Sequence, residues 1–169
     1  MIKNLQSQRG ITLIEILVTL VLITLITILA ASMLTNGLKT AERVKVEAEI
    51  RDEADYLMVQ LLNELYLLKT SEIQSKQLQD PANPSHSYLV VRKTGSSTNH
   101  QLGLADGKVL LESATLEPSS DDILLEPESQ IKEIKQGHYQ ITLVLKSTVN
   151  NRELELTTEV QIITDKEGE

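Results

Sequence analysis

The run Ile11 to Leu34, ITLIEILVTLVLITLITILAASML, limits what this chain can fold into more than any other feature. Its one ionisable side chain is Glu15, and the next charge is Lys39. At 1.5 Å rise per residue a helix of this length extends roughly 36 Å, enough to cross a hydrocarbon core of about 30 Å. Residues 11–35 are therefore predicted to span a membrane. Lys3 and Arg9 precede the run, while Lys39, Arg43 and Lys45 follow it mixed with Glu42 and Glu47. A short basic leader of this kind predicts a cytoplasmic N-terminus and an outer C-terminal domain. Secretory signals have an apolar region of about 7 to 15 residues with small residues at the cleavage site. Here the run is longer, and Ile28 stands in "TILAAS" where a small residue is needed. The segment is expected to stay with the protein.

A plain anchor does not explain Glu15. A carboxylate inside an apolar helix is costly and usually has a partner. One reading lets Glu15 snorkel to the interface. In the other, a cut between Gly10 and Ile11 creates an α-amino group, with a pKa of about 8, four residues before the carboxylate. Within one chain the helix dipole and that amine would both favour Glu15. Among parallel helices the carboxylate could instead meet a neighbour's amine, where low dielectric makes a missing partner expensive.

These residues resemble the type IV prepilin family. Its members carry a short basic leader ending in Gly, then a residue that is often Phe, then Thr-Leu-Ile-Glu and a long apolar helix. This chain has "RG" followed by "ITLIEILVTL". The resemblance implies a leader at residues 1–10, cleavage after Gly10 by a prepilin peptidase, and N-methylation of Ile11. It also implies that Glu15 pairs with a neighbouring subunit's N-terminus during assembly. Ile11 departs from the usual Phe, and no proline interrupts the apolar helix as it does in many major pilins.

Beyond the membrane run, residues 36–70 remain helical in pattern. Ile50, Ala54, Leu57, Leu61, Leu65 and Leu68 draw one apolar stripe that calls for a sheet to cover. The exposed strip "EAEIRDEAD" is read as a solvated face or as an acidic docking strip. Residues 71–87, with "DPANPSHS", read as a linker. From 88 to 164 strands are predicted, with a hairpin at Asp106-Gly107 and a second around "TVNN". In the second, Tyr139, Ile141, Leu143 and Leu145 share a face, as do Leu154, Leu156, Thr158, Val160 and Ile162. Residues 165–169 form an acidic tail, expected to fray. The fold class is therefore α+β, a long N-terminal helix packed on an antiparallel sheet of four to six strands, as in type IV pilins. The order of parts is similar to the J-type minor pseudopilins of type II secretion systems and the PilW-type minor pilins. That likeness rests on "EIRDEADYLMVQLLNELYLL", "LADGKVLLES" and the terminal hairpin. It implies a place in a tip complex that primes a filament.

Chemistry is sparse. Cysteine is absent, which removes disulfides, thiolate metal sites and cysteine nucleophiles. His86, His100 and His138 lie in or beside predicted loops, and "SSDD" at Ser119 to Asp122 offers calcium too few spaced oxygens. No catalytic residue, cofactor or metal is expected. A net charge of -8, without a dense basic run, argues against direct nucleic-acid binding. The expected role is a structural subunit of a type IV pilus or of a secretion or competence pseudopilus. Its partners would be the peptidase, other pilin or pseudopilin subunits, an inner-membrane assembly platform and membrane lipid. The alternative is a single-pass binding or sensor domain with an uncleaved anchor.

Overall fold

The computed structural model describes residues 12–78 and 85–165. Residues 1–11, 79–84 and 166–169 lie outside it, so the leader, Gly10, Ile11, most of the "DPANPSHS" joint and most of the acidic tail do too. The chain divides into two compact units, residues 1–45 and 46–169.

Helix α1 (Leu13–Leu67) is continuous in backbone, and Gly37 sits inside it without a break. In the first unit every described residue is exposed, including Leu20, Ile23, Ile26 and Leu29. The hydroxyls of Thr24, Thr27 and Thr35 donate to the carbonyls of Leu20, Ile23 and Ala31, at 2.7–2.8 Å. Thr19 does the same to Ile16. These polar groups are thus satisfied within the helix, as an apolar surrounding demands.

In the second unit the stripe read from the sequence, Ile50, Ala54, Leu57, Leu61, Leu65 and Leu68, is buried, with Met58 added to it. It joins one core with the inner faces of two antiparallel sheets. The first sheet runs in order β1 (Ile73–Gln77), β2 (His86–Val91), β3 (His100–Ala105), β4 (Lys108–Leu110) and β5 (Thr115–Leu116). In the second, β8 (His138–Ser147) has β9 (Glu153–Gln161) along one side. Along its other side lie β6 (Ile123–Leu125) and β7 (Gln130–Lys135). Tyr139, Ile141, Leu143 and Leu145 are fully buried together. At the Asp106-Gly107 turn φ is 51° and 72°, the left-handed pair that a two-residue type I′ hairpin requires.

The α+β class expected from the sequence holds, but among the described residues nine strands in two sheets replace one sheet of four to six. The stretch 71–87 is also more than a linker: β1 occupies Ile73–Gln77 and pairs with β2. Its sequence IQSKQ has no alternation because it is an edge strand exposed along most of its length.

Two buried serines join the parts. Ser87 on β2 reaches the free edge of β7, accepting from the Ile131 N–H at 2.7 Å and donating to the Ile131 carbonyl at 3.0 Å. Between β6 and β7, Ser129 accepts from the Val144 N–H at 2.8 Å and donates to its carbonyl at 3.3 Å. Each hydroxyl does the work of a missing strand residue. Beside Ser87, β2 and β3 approach so closely that a Cβ on Gly103 would lie 2.5 Å from the Ser87 carbonyl oxygen. Lys76 on β1 and Glu133 on β7 add an ion pair at 2.7 Å between the sheets.

The end of α1 is pinned too. Buried Glu72 accepts the N–H groups of Lys69 (3.0 Å) and Thr94 (3.1 Å). Burial pushes its carboxyl up, but these bonds, the Thr94 hydroxyl and the Lys69 charge outweigh it and hold the group below the ordinary carboxylate value. Asp165, the first residue of the expected tail, accepts the Ser71 N–H at 2.9 Å. The tail is therefore tied down at its start.

Candidate functional site

The N-terminal turn of α1 gathers the sequence features that point to function. Thr12 precedes the helix and Glu15 is its third residue. Glu15 accepts the Thr12 N–H at 2.8 Å and the Thr12 hydroxyl at 3.0 Å. In return the Glu15 N–H donates to the Thr12 carbonyl at 3.0 Å, with the Thr12 hydroxyl 3.3 Å away. This is a capping box, in which Thr and Glu three residues apart each satisfy a helix-end group of the other. The carboxylate also lies at the positive end of the helix dipole.

Glu15 thus does more than add a charge to an oily helix: it starts that helix. Sequence reading missed Thr12 as its partner, although the T-x-x-E spacing was the signal. Gly10 and Ile11 lie outside the described residues, so the structure places only Glu15 of the three residues singled out. α1 is long and apolar enough to cross a membrane by length and composition. Its exposed Leu, Ile and Val side chains in residues 13–34 would be costly to leave in water.

Other candidate chemistry is dispersed. His86 pairs with Asp106 at 3.0 Å and His138 with Glu159 at 3.1 Å, on different sheets. Among the described residues no group of three or more His, Cys, Asp or Glu side chains gathers to hold a metal. In the "SSDD" loop, Ser120 Oγ accepts the Asp122 N–H, and the Asp122 carbonyl accepts the Thr148 N–H. These bonds order a turn.

No curated protein and no solved structure matches the chain. Residues 5–31 match the family described as the prokaryotic N-terminal methylation motif, a stretch that holds Gly10, Ile11, Thr12 and Glu15. This motif, continued by a long apolar helix and an α+β domain of type IV pilin-like fold, supports a type IV pilin-like or pseudopilin-like prepilin.

Proposed function

We propose that the chain is a minor pilin or pseudopilin. It is inserted by α1 with its N-terminus in the cytoplasm, cleaved after Gly10 by a prepilin peptidase and N-methylated at Ile11. It is then drawn from the membrane into a filament. The observation that carries this reading is the methylation motif at residues 5–31, which runs well into α1, where the apolar side chains of residues 13–34 are exposed. The work of such a subunit is packing, and its partners are the peptidase, fellow subunits, the assembly platform and lipid. The order of parts favours the J-type and PilW-type groups and a place in a tip-priming complex.

The capping box gives this reading a physical course. Cleavage between Gly10 and Ile11 leaves the Thr12 N–H as an amide, so both Thr12 bonds to Glu15 survive processing. The carboxylate is then satisfied while the subunit is alone in the membrane. During assembly a neighbour's α-amine offers a full positive charge to a group already aimed at the helix end. The Thr12 bonds already have an ionised acceptor, so what the amine adds is a Coulombic attraction that two neutral donors lack.

The test is Glu15→Val in a strain that makes the filament. Insertion and cleavage should remain normal while incorporation into filaments is lost. Undiminished incorporation would refute the pairing role.

A further inference from the structure

We propose that the outward face of the first sheet carries a binding trough for a neutral saccharide, seated over β3 between the side chains of β2 and β4. Leu89, Leu102, Leu104 and Val109 turn inward and are buried, so alternation sends their chain neighbours outward. The register then sets Tyr88 opposite Gly103 and Gly103 opposite Leu110, with His86, Ala105 and Lys108 in the next row. Each row has its small residue in the middle. Gly103 has φ 146°, and a Cβ there would also meet the Tyr88 Cα at 2.6 Å, so no side chain can fill the gap. The backbones of β2 and β4 stand about 10 Å apart, two strand spacings. The result is a depression of about 460 Å³ between the two walls. Small-molecule sites measure roughly 300–1,000 Å³. The aromatic wall is held in place: the Tyr88 hydroxyl donates to Gln77 Oε1 at 2.8 Å, and the His86 ring meets the Tyr88 ring edge-on, centroids 6.2 Å apart.

The rim selects the ligand. Gln101 and Thr115 line the trough with exposed side chains that make no hydrogen bond among the described residues, and Asp106 has only Oδ1 engaged there, by His86 at 3.0 Å. Donors and acceptors of this kind call for a ligand that can do both. Lys108 pairs with Glu117 at 2.6 Å, and Asp106 lies near both His86 and Lys108, so a charged ligand of either sign finds no free countercharge. An extended peptide gains no main-chain bonds, because β3 is paired on both sides. A lipid tail would cover Tyr88 and Leu110 but strip water from the polar rim. A saccharide lays the C–H face of a ring on Tyr88 and Leu110. Its hydroxyls donate to the Asp106 carboxylate and exchange bonds with Gln101 and Thr115. The trough lies wholly in the second unit, so the inference stands apart from the assembly reading.

The test presents the full chain, purified in lauryldimethylamine oxide, a detergent without sugar, to an array of neutral and sialylated oligosaccharides. Each bound oligosaccharide is then titrated into isotope-labelled protein and followed by nuclear magnetic resonance. The expected result is binding of a neutral oligosaccharide that shifts the amides of Gln101, Asp106 and Thr115. Tyr88→Ala should weaken it at least tenfold. Thr115→Trp, at an exposed position, should fill the trough and abolish binding with the circular dichroism unchanged, while Thr157→Trp, exposed on β9, should leave it intact. Failure of every neutral oligosaccharide to bind, binding confined to sialylated ones, or binding that survives Thr115→Trp would each overturn the proposal. Shifts of the same amides on raising the protein concentration alone would give the trough to a second copy and overturn it too.

Discussion

Replacing Ser87 with alanine removes one oxygen and strands two backbone groups. The Ser87 hydroxyl is bonded to both the N–H and the carbonyl of Ile131, which is fully buried, and Ser87 itself is 1 % exposed. No water can reach the gap without opening the joint between the sheets. A buried backbone group left without a partner costs about 1–3 kcal/mol, and losing two, less the relief of no longer burying a hydroxyl, gives about 2–4 kcal/mol. That is a large share of a total of about 5–15 kcal/mol. Urea unfolding of the full chain in detergent, followed by the near-ultraviolet dichroism of Tyr139 in the core, measures the change. The midpoint should fall with the slope unchanged. A loss below about 1 kcal/mol would show that Ile131 finds another partner and that Ser87 is not what joins β2 to β7.

Other perturbations test separate parts of the account. Leu61→Ala at the centre of the buried stripe should cost about 2–5 kcal/mol in the same unfolding assay, since the helix and both sheets close around it. Tyr139→Phe should change stability by less than about 1 kcal/mol, because the buried Tyr139 hydroxyl meets Lys76 and Glu133 without a hydrogen bond of good geometry; a larger loss would reveal one. Glu72 has a depressed folded-state pKa, so its contribution is present above the unfolded value of about 4.3 and is lost as pH falls through the folded value. Glu72→Gln should therefore flatten stability against pH below about 4.3, and an unaltered profile would remove Glu72 from the acid response. Thr12→Val should speed amide hydrogen exchange at residues 13–16 in detergent while leaving residues 20–30 unchanged.

The helix was legible because each half obeys one simple rule. Residues 16–34 carry no ionisable side chain, and Ile50 to Leu68 recur at steps of three and four, which the buried face reproduces with Met58 added. The β8–β9 hairpin was legible for the same reason, since apolar side chains recur at nearly every second position along both strands, although β8 also buries Thr142 and Val144. What escaped is held by other means. β7, QIKEIK, places its isoleucines three apart and carries an irregularity between Glu133 and Lys135, so strict alternation fails there. β1 is polar because it is an edge, and β5 is two residues long. The link between the sheets rests on Ser87 meeting the Ile131 backbone 44 residues away, and the gap between β6 and β7 is filled by Ser129 meeting the Val144 backbone 15 residues away, relations no local pattern encodes. At the N-terminus, Glu15 stood out as a charge where none belonged. Thr12 did not, since a threonine before a helix is unremarkable until its bonds to the carboxylate are seen.

The central claim is that this helix is trimmed and methylated before it is used, and mass spectrometry of the protein from its native membrane tests it most directly. The account predicts a chain beginning at Ile11 and heavier by one methyl group. A chain that still carries residues 1–10 in cells with an active prepilin peptidase would contradict it.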